Sequence, residues 1–256
     1  MADTIFMIHG MWCGPWCWEN YQRFFEEKGY RCVAASLPYH DMDPQSLPDP
    51  RLGTTGLLDY VEAMEKEIGR LSEKPIVMGH SMGGLLAQLL GARGLAKALV
   101  LLTPASPSGI VAPAPSVIAS FWSGLTAWGF WQKPLRPTFS EMVYSALHLL
   151  TDEEQKEIYG KLVYESGRAA FEIGFWLFDP TGASKVDESK ITCPALVVAG
   201  ALDRLIPASV VRQVARKYEA VSTYSEFENH GHWVLGEPGW QEVAGDVADW
   251  LGRWDR

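Results

Sequence analysis

Short apolar runs alternate with longer amphipathic segments along most of this chain, and this alternation constrains its fold more than any other feature of the sequence. Near-continuous apolar strands that are each followed by a helix are typical of a parallel sheet with helices on both faces. The sequence therefore predicts an α/β fold with a mostly parallel sheet flanked by helices. The predicted strands are residues 4–8, 30–35, 75–78, 98–102, 195–199 and 222–227, and the predicted helices are residues 16–28, 54–71, 82–92, 208–218 and 241–254.

The alternation is interrupted over residues 106–186. Residues 103–132 contain no Asp, Glu, Lys or Arg, and helical patterns follow over residues 140–150, 151–164 and 167–178. The spacing from Thr151 to Glu154 is that of a capping box at a helix start. An insertion between two strands of such a sheet naturally lies over the carboxyl ends of the strands, where ligands bind. The sequence predicts a core domain of residues 1–105 and 187–256, with a helical cap, or lid, over residues 106–186.

Residues 117–131 fit a core helix, a membrane span or a lid helix with an apolar underside. A span needs about twenty predominantly apolar residues. This stretch has fifteen and is interrupted by Ser, Gly and Thr. We therefore expect a lid helix and no integral membrane segment, while shallow contact with a lipid surface stays open.

The charge balance bears on the class of partner. The chain has 22 Lys and Arg against 31 Asp and Glu, a formal net charge of −9, and it contains no basic run. Phosphate binding needs clustered positive charge. We therefore expect neither a nucleic acid nor an anionic membrane as a partner.

The cysteines and the first residues bear on the cellular compartment. Four cysteines in a chain of this length predict reduced thiols rather than a disulfide framework. Cys13 and Cys17 are separated by three residues, whereas the cysteines of a thioredoxin-type redox motif are separated by two. The first residues also lack the positively charged region of a signal peptide. These features favour a cytoplasmic protein.

The sharpest motif is G-H-S-M-G-G at residues 79–84, which fits G-x-S-x-G. It follows a predicted strand and opens a predicted helix, which is the setting of a nucleophile elbow. Glycines are needed there because the turn is tight and a Cβ would clash with the neighbouring backbone. The turn places the Ser81 hydroxyl at a helix N-terminus, where the helix dipole favours developing negative charge. We predict that Ser81 is a nucleophile rather than an ordinary turn serine.

A serine hydroxyl is a weak nucleophile and needs a general base within hydrogen-bond reach. The sequence N-H-G-H-W at residues 229–233 lies between the last predicted strand and the last predicted helix, in a loop that returns to the top of the sheet. His232 is the predicted base, in preference to His230, because it follows the flexible Gly231. The other four histidines are read as packing or loop residues: His9, His40, His80 and His148.

A third residue must accept the other imidazole N–H and fix the histidine tautomer. Asp203 follows the predicted strand 195–199 and lies at its carboxyl end. The alternative is that Asp203 caps the helix that starts after Pro207. We predict that Asp203 orients His232.

The oxyanion of a tetrahedral intermediate needs preorganised N–H donors. Met82, the residue after the predicted nucleophile, supplies one backbone N–H. The loop after the first strand reads H-G-M-W at residues 9–12, where Gly10 allows close backbone approach. We therefore predict the backbone N–H of Met11 as the second donor.

These elements resemble the α/β-hydrolase superfamily over nearly the whole chain. The resemblance lies in H-G at residues 9–10, the elbow at residues 79–84, G-x-x-D at residues 200–203 and G-H at residues 231–232. The order Ser, Asp, His along the chain is also that of α/β-hydrolases. Residues 9–18 look like the branch of plant methylesterases and hydroxynitrile lyases. The loop S-L-P-Y-H at residues 36–40 departs from the Asp and the L-P-G-H-G of many relatives.

The resemblance and the aromatic residues together imply a substrate class. We expect hydrolysis of a carboxylic ester with an apolar acyl or alcohol part through an acyl-enzyme. The cap also contains Phe130 and Trp131, and for each aromatic residue a place in the cap core is the alternative to substrate contact. The aromatic residues predicted to bind substrate are Trp12, Phe121, Trp122, Trp128 and Trp233.

Several alternatives stay open. Lactonase, perhydrolase, C–C hydrolase and hydroxynitrile-lyase activities would use the same three residues, and a receptor of this fold would bind a ligand without turnover. The serine nucleophile argues against epoxide hydrolase and haloalkane dehalogenase chemistry, since those relatives use an aspartate there. We expect no cofactor, and no metal site is implied because no His, Cys or carboxylate cluster has ligand spacing.

Overall fold

A six-stranded parallel sheet forms the centre of the computed structural model, which describes residues 3–111, 116 and 128–253. The strands of this sheet are β1 (Thr4–Ile8), β2 (Arg31–Ala35), β3 (Ile76–His80), β4 (Ala98–Leu102), β7 (Ala195–Gly200) and β8 (Ser222–Phe227). Their order across the sheet is β2-β1-β3-β4-β7-β8, and every neighbouring pair is parallel. The fold class predicted from the sequence is therefore confirmed.

Helices connect these strands and cover both faces of the sheet. They are α1 (Glu19–Glu27), α2 (Leu57–Ile68), α3 (Met82–Ala92), α7 (Ala208–Lys217) and α8 (Trp240–Leu251). The predicted helix 16–28 begins instead with a 3₁₀ turn over Pro15–Trp18, because a proline at the first position allows a tight helical start. The predicted helix 241–254 ends at Leu251, with Gly252 as its C-cap.

The period-two alternation of strand side chains divides the core between the two faces of the sheet. In β1, Ile5 and Met7 pack in one buried apolar cluster, and Phe6 and Ile8 pack in the other. Because both faces are covered, the central strands are apolar at successive positions. This burial fixes the strand register and, with it, the ends of the strands that carry the candidate site.

The described residues of the inserted segment between β4 and β7 form α-helices, 3₁₀ turns and a short antiparallel pair of strands. The α-helices and strands are β5 (Pro134–Leu135), α4 (Phe139–Ser145), α5 (Asp152–Lys161), β6 (Glu165–Ser166) and α6 (Gly167–Gly174). The predicted capping box is present: Glu154 N donates to Thr151 Oγ1, and Thr151 N donates to Glu154 Oε2. The division of the chain into a core domain and a separate cap stays a prediction.

The helices of the inserted segment are shorter than predicted. The predicted helix 151–164 ends at Lys161 because Leu162 has extended backbone. The predicted helix 167–178 ends at Gly174, where Phe175 leaves helical geometry and a 3₁₀ turn follows over Trp176–Phe178. The break turns Phe175 and Trp176 toward one cavity, whereas Phe178 is exposed.

Within the described residues, the structure contains no helix that combines the length and the apolar character needed to cross a membrane. The predicted lid helix over residues 117–131 lies largely outside the described residues.

Candidate active site

Ser81 occupies the turn between β3 and α3 with strained backbone angles. Its φ is +55°, a conformation that side chains other than glycine rarely adopt. A Cβ on Gly79 would lie 2.1 Å from the carbonyl oxygen of Gly83, and a Cβ on Gly83 would lie 2.1 Å from that of Ile8. The two glycines therefore permit the sharp turn that sets Ser81 at the carboxyl edge of the sheet.

His232 and Asp203 lie in contact at the same edge. The distance from His232 Nδ1 to Asp203 Oδ2 is 2.7 Å, and both side chains are buried. A neutral imidazole that donates from Nδ1 to a carboxylate keeps the lone pair of Nε2. This is the tautomer that a general base needs.

The second carboxylate oxygen of Asp203 accepts hydrogen bonds from the turn that follows it. Asp203 Oδ1 accepts the backbone N–H groups of Leu205 and Ile206, each at 2.8 Å. The N-cap of α7 is Pro207. Asp203 therefore does not occupy the N-cap position that the sequence left open as its alternative role.

Ser81 and His232 line one cavity. The two residues are each less than a tenth exposed. Among the described residues, the structure contains no hydrogen bond between the Ser81 hydroxyl and the His232 imidazole. Such bonds are often long in proteins without ligand and tighten when substrate binds.

Two side chains donate hydrogen bonds to the backbone carbonyl of His232. His80 Nε2 donates to the His232 carbonyl at 2.9 Å, and Thr103 Oγ1 donates to the same oxygen at 3.3 Å. Burial, together with the nearby His232, lowers the pKa of His80 to about 3. His80 is therefore a neutral loop-fixing residue, in agreement with its reading from the sequence.

His9 holds the loop that follows β1. Its Nδ1 donates to the Gly10 carbonyl at 2.8 Å, and its Nε2 accepts the Leu37 N–H at 3.1 Å. Burial, followed by the charge of His40, lowers the pKa of His9 to about 3, so the ring stays neutral. A Cβ on Gly10 would lie 2.9 Å from Ser81 Cβ, which shows how closely this loop approaches the serine.

The predicted oxyanion donors lie around the same cavity. Met11 and Met82 both line it. Met82 is the first residue of α3, where backbone N–H groups have no partner within the helix. The structure thus places both residues beside Ser81, and their role as donors stays a prediction.

The cavity has a volume of about 320 Å³ and an apolar lining. Its polar lining residues are few, and the described lining contains no Asp, Glu, Lys or Arg. Seven large side chains supply much of the apolar wall: Trp12, Ile110, Phe130, Met142, Phe175, Trp176 and Trp233.

The aromatic residues predicted to bind substrate divide into three groups. Trp12 and Trp233 line the cavity. Trp128 is 86% exposed and does not line it, because its ring packs on Trp131 at the outside of the inserted segment. Phe121 and Trp122 lie outside the described residues.

Sequence reasoning missed other cavity residues. Phe175 and Trp176 line the cavity at the break after α6. Their aromatic character was a signal, but a continuous helix over residues 167–178 would not have turned both toward the site.

The two remaining loop histidines each contact a buried glutamate. His40 Nε2 lies 3.1 Å from Glu165 Oε2, and His230 Nδ1 lies 2.9 Å from Glu237 Oε1. Burial acts to lower the pKa of His40, but the charge and hydrogen bond of Glu165 outweigh it and raise this pKa. Neither histidine lines the cavity.

Comparisons with known proteins agree with this architecture. The sequence profile of the alpha/beta hydrolase family matches residues 5–246. Methylesterase 8 of Arabidopsis thaliana is 30% identical over 87 residues, which are 33% of this chain and 30% of that protein. The match thus spans about a third of the length of this relative.

Solved structures resemble the chain over nearly its whole length. A methylesterase from Arabidopsis aligns with a TM-score of 0.73 and 13% identity, covering 98% of this chain and 99% of its own. A pyrethroid hydrolase from Sphingobium faniae JZ-2 aligns with a TM-score of 0.74 and 18% identity, covering 97% of each chain. At such identities the likeness shows the fold alone.

Proposed function

Because this chain belongs to the alpha/beta hydrolase family, we propose that it hydrolyses carboxylic esters with an apolar moiety through a triad of Ser81, His232 and Asp203. The main support is a convergence of three observations. Ser81 lies on a strained turn, His232 contacts Asp203 at 2.7 Å, and Ser81 and His232 line one uncharged cavity. The likeness to methylesterase sequences in one third of the chain agrees with ester chemistry.

The proposed acylation step begins at Ser81. His232 Nε2 takes the hydroxyl proton while Ser81 Oγ attacks the ester carbonyl carbon. The carbonyl π electrons move onto oxygen, where the N–H groups of Met11 and Met82 stabilise the negative charge. The intermediate then collapses, the bond to the alcohol oxygen breaks, and that oxygen takes the proton from His232.

Deacylation repeats the cycle with water. His232 Nε2 takes a proton from water, and the hydroxide oxygen attacks the acyl carbon. Collapse of the second intermediate releases the carboxylic acid and returns the proton to Ser81 Oγ. Throughout, Asp203 stays ionised and stabilises the charged His232.

The lining of the cavity supports the proposed substrate class. A charged group that entered it would lose its water without gaining an opposite charge from the described lining residues. Apolar groups gain free energy when they leave water. We therefore propose neutral esters, with Trp12 and Trp233 among the residues that contact them.

The same lining favours ester hydrolysis over cyanohydrin cleavage. Release of cyanide from a cyanohydrin produces an anion, which a cationic side chain in the site would stabilise. The described lining residues contain no Lys or Arg. Ester hydrolysis needs a neutral base and backbone donors, which are the roles proposed here for His232, Met11 and Met82.

Fluorophosphonate labelling tests the nucleophile. We expect a covalent adduct on Ser81 in the wild-type protein and none in Ser81→Ala. Ser106 lines the same cavity and provides a matched control, since Ser106→Ala should be labelled like wild type. Absence of an adduct on wild-type Ser81 would exclude the proposed enzyme and favour a ligand-binding protein.

Rates on p-nitrophenyl esters of increasing acyl length test the substrate class. Each buried methylene contributes about 0.8 kcal/mol, so we expect kcat/KM to rise by about fourfold per methylene until the cavity is filled. Esters with a charged acyl group should react more slowly than neutral esters of equal length. The opposite preference would contradict the assignment of apolar esters.

A further inference from the structure

We propose that Glu237 is a positioning residue, which holds the His232 loop through a second histidine–carboxylate pair. The inference rests on the proposed function, because it assigns how the general base is kept in place. Glu237 lies in the loop between β8 and α8 and is 1% exposed. Nothing in the sequence motif predicts its role.

One oxygen of Glu237 accepts two hydrogen bonds from the loop. Glu237 Oε1 lies 2.8 Å from the backbone nitrogen of Gly231 and 2.9 Å from His230 Nδ1. The carboxylate therefore draws the loop back on itself immediately before His232. This contact sets the direction in which the chain enters His232.

The remaining backbone contacts complete a frame around that residue. The His230 carbonyl accepts the N–H of Leu202, which precedes Asp203, and the His232 carbonyl accepts from His80. Three consecutive residues are thus held in place. Glu237 and the Asp203 turn hold His230 and Gly231, and His80 holds His232. Among the described residues, Glu237 is the only hydrogen-bond acceptor of the Gly231 N–H. Removing Glu237 would therefore leave this N–H without its acceptor.

The cost of burying Glu237 indicates that its hydrogen bonds matter. An ionised carboxylate loses several kcal/mol of hydration free energy on burial, which hydrogen bonds must offset. Its other oxygen, Oε2, has no hydrogen-bond partner among the described residues. A leucine would fill the same space at lower cost, so the carboxylate serves the two bonds made by Oε1.

Close packing around Gly231 makes the loop sensitive to this contact. A Cβ on Gly231 would lie 3.3 Å from Glu237 Oε2 and 3.2 Å from His148 Cε1. A Cβ on Gly200 would lie 2.2 Å from the Gly231 carbonyl oxygen. The loop is therefore confined on several sides, and Glu237 holds its Gly231 N–H within this confined space.

This role differs from catalysis. His230 Nδ1 is engaged by Glu237, and neither residue lines the cavity. Their pair resembles that of His232 and Asp203 in chemistry, but it has no access to substrate. We therefore expect its loss to affect turnover and to leave substrate binding nearly unchanged.

The test compares Glu237→Leu and Glu237→Gln with wild type, using kcat and KM on p-nitrophenyl butyrate and the thermal midpoint. A misplacement of about 1 Å costs on the order of 100-fold in rate. We expect Glu237→Leu to lower kcat by about 10- to 100-fold with KM within about twofold. Glu237→Gln should keep most of the wild-type kcat, because its amide oxygen can take the place of Oε1. Its NH₂ group can take the place of Oε2, which has no hydrogen-bond partner among the described residues.

Glu172 provides a matched control. It is also buried, and its carboxylate accepts the backbone N–H of Leu57 at 2.7 Å and a bond from Arg168, away from the His232 loop. Glu172→Leu should lower the thermal midpoint and leave kcat within about threefold of wild type. If the Glu237 and Glu172 variants lose kcat equally, or if Glu237→Leu changes only KM and stability, the positioning role is wrong.

Two further measurements keep the outcomes distinct. If Glu237→Leu does not fold, Glu237→Asp takes its place, because a side chain shorter by one methylene cannot reach Gly231 and should show the same selective loss of kcat. Wild-type kcat in that variant would overturn the inference. Failure of fluorophosphonate to label wild-type Ser81 would instead remove the proposed function, whatever the Glu237 variants do.

Discussion

The carboxylate of Asp203 divides its two oxygens between two partners. Oδ2 accepts from His232, and Oδ1 accepts from the backbone N–H groups of Leu205 and Ile206. The backbone bonds fix the plane of the carboxylate, so the carboxylate in turn fixes the imidazole. At the scale of single residues, the orientation of the proposed base therefore depends on a turn that follows β7.

Asp203→Asn should abolish most of the activity without unfolding the protein. Because Oδ1 accepts two N–H groups, the amide oxygen will occupy that position and the NH₂ group will face His232 Nδ1. The imidazole must then carry its proton on Nε2, where it cannot act as a base. We expect kcat to fall by about 10³- to 10⁴-fold with little change in KM.

Steady-state kinetics and a thermal midpoint measured on the same preparation test this prediction. Ser81→Ala serves as the reference for complete loss of the nucleophile. An Asp203→Asn enzyme with more than about a tenth of wild-type kcat would contradict the assigned tautomer.

At the scale of elements, the close approach of α3 to β1 determines where Ser81 lies relative to the sheet. The Gly83 Cα faces the carbonyl oxygen of Ile8 so closely that no side chain fits between the helix and the strand. The first turn of α3 therefore lies directly on the sheet, and Met82 lines the cavity beside Ser81.

Gly83→Ala should destabilise the protein, whereas Gly245→Ala should stabilise it. Both are helix glycines, but a Cβ on Gly83 would lie 2.1 Å from Ile8 O, and a Cβ on Gly245 would meet no atom within 4 Å. We expect a loss of about 3 kcal/mol or more for the first variant and a gain of roughly 0.5–1 kcal/mol for the second. Urea unfolding measures both, and equal effects would contradict the close approach.

A second contact between elements joins the inserted segment to the core. Glu165 in β6 accepts bonds from His40, from the Tyr60 hydroxyl in α2 and from the Ser166 N–H. His40 is buried, and the pKa of its ring is raised in spite of that burial. The loop after β2 and the base of the inserted segment thus meet at a buried histidine–glutamate pair.

His40→Gln should destabilise the protein more at pH 6 than at pH 9. A histidine whose pKa is higher in the folded state contributes its full stability below the unfolded pKa of about 6.5, and loses it as the pH rises through the folded pKa. Wild-type protein should therefore lose this contribution on the alkaline side, and the variant should not. Chemical unfolding at both pH values tests the prediction, and a pH-independent difference would contradict it.

At the scale of the whole molecule, two neutral histidines are buried beneath the active edge. Burial lowers the pKa values of His9 and His80 to about 3, whereas in the unfolded chain each has a pKa near 6.5. Between these values the unfolded state binds more protons than the folded state, so stability falls as the pH falls. The loops that carry the proposed oxyanion donor and base thus add to the acid sensitivity of the fold.

The free energy of unfolding should fall between pH 6.5 and pH 5 by about 2 kcal/mol for each of these histidines. His80→Gln can still donate to the His232 carbonyl but has no group that titrates in this range. Its urea midpoint should therefore depend less on pH than that of wild type. Identical pH dependence in the two proteins would contradict the neutral, buried state of His80.

The sequence by itself determined the elements that depend on local chain chemistry. Continuous apolar runs require a sheet that is covered on both faces, and the glycines around Ser81 permit a turn that other residues would obstruct. Asp203 and His232 each follow a predicted strand, and parallel strands end at one edge. Their contact could therefore be predicted, while their catalytic role stays a prediction.

Only the tertiary structure decided which distant side chains meet. Glu165 and Glu237 have no distinctive local pattern, because their partners are selected by burial against segments far away in sequence or across a folded loop. Trp128 and Trp176 are both aromatic residues of the inserted segment, yet one is exposed and the other lines the cavity. Local sequence sets the type of a side chain, whereas the packing of whole elements sets its environment.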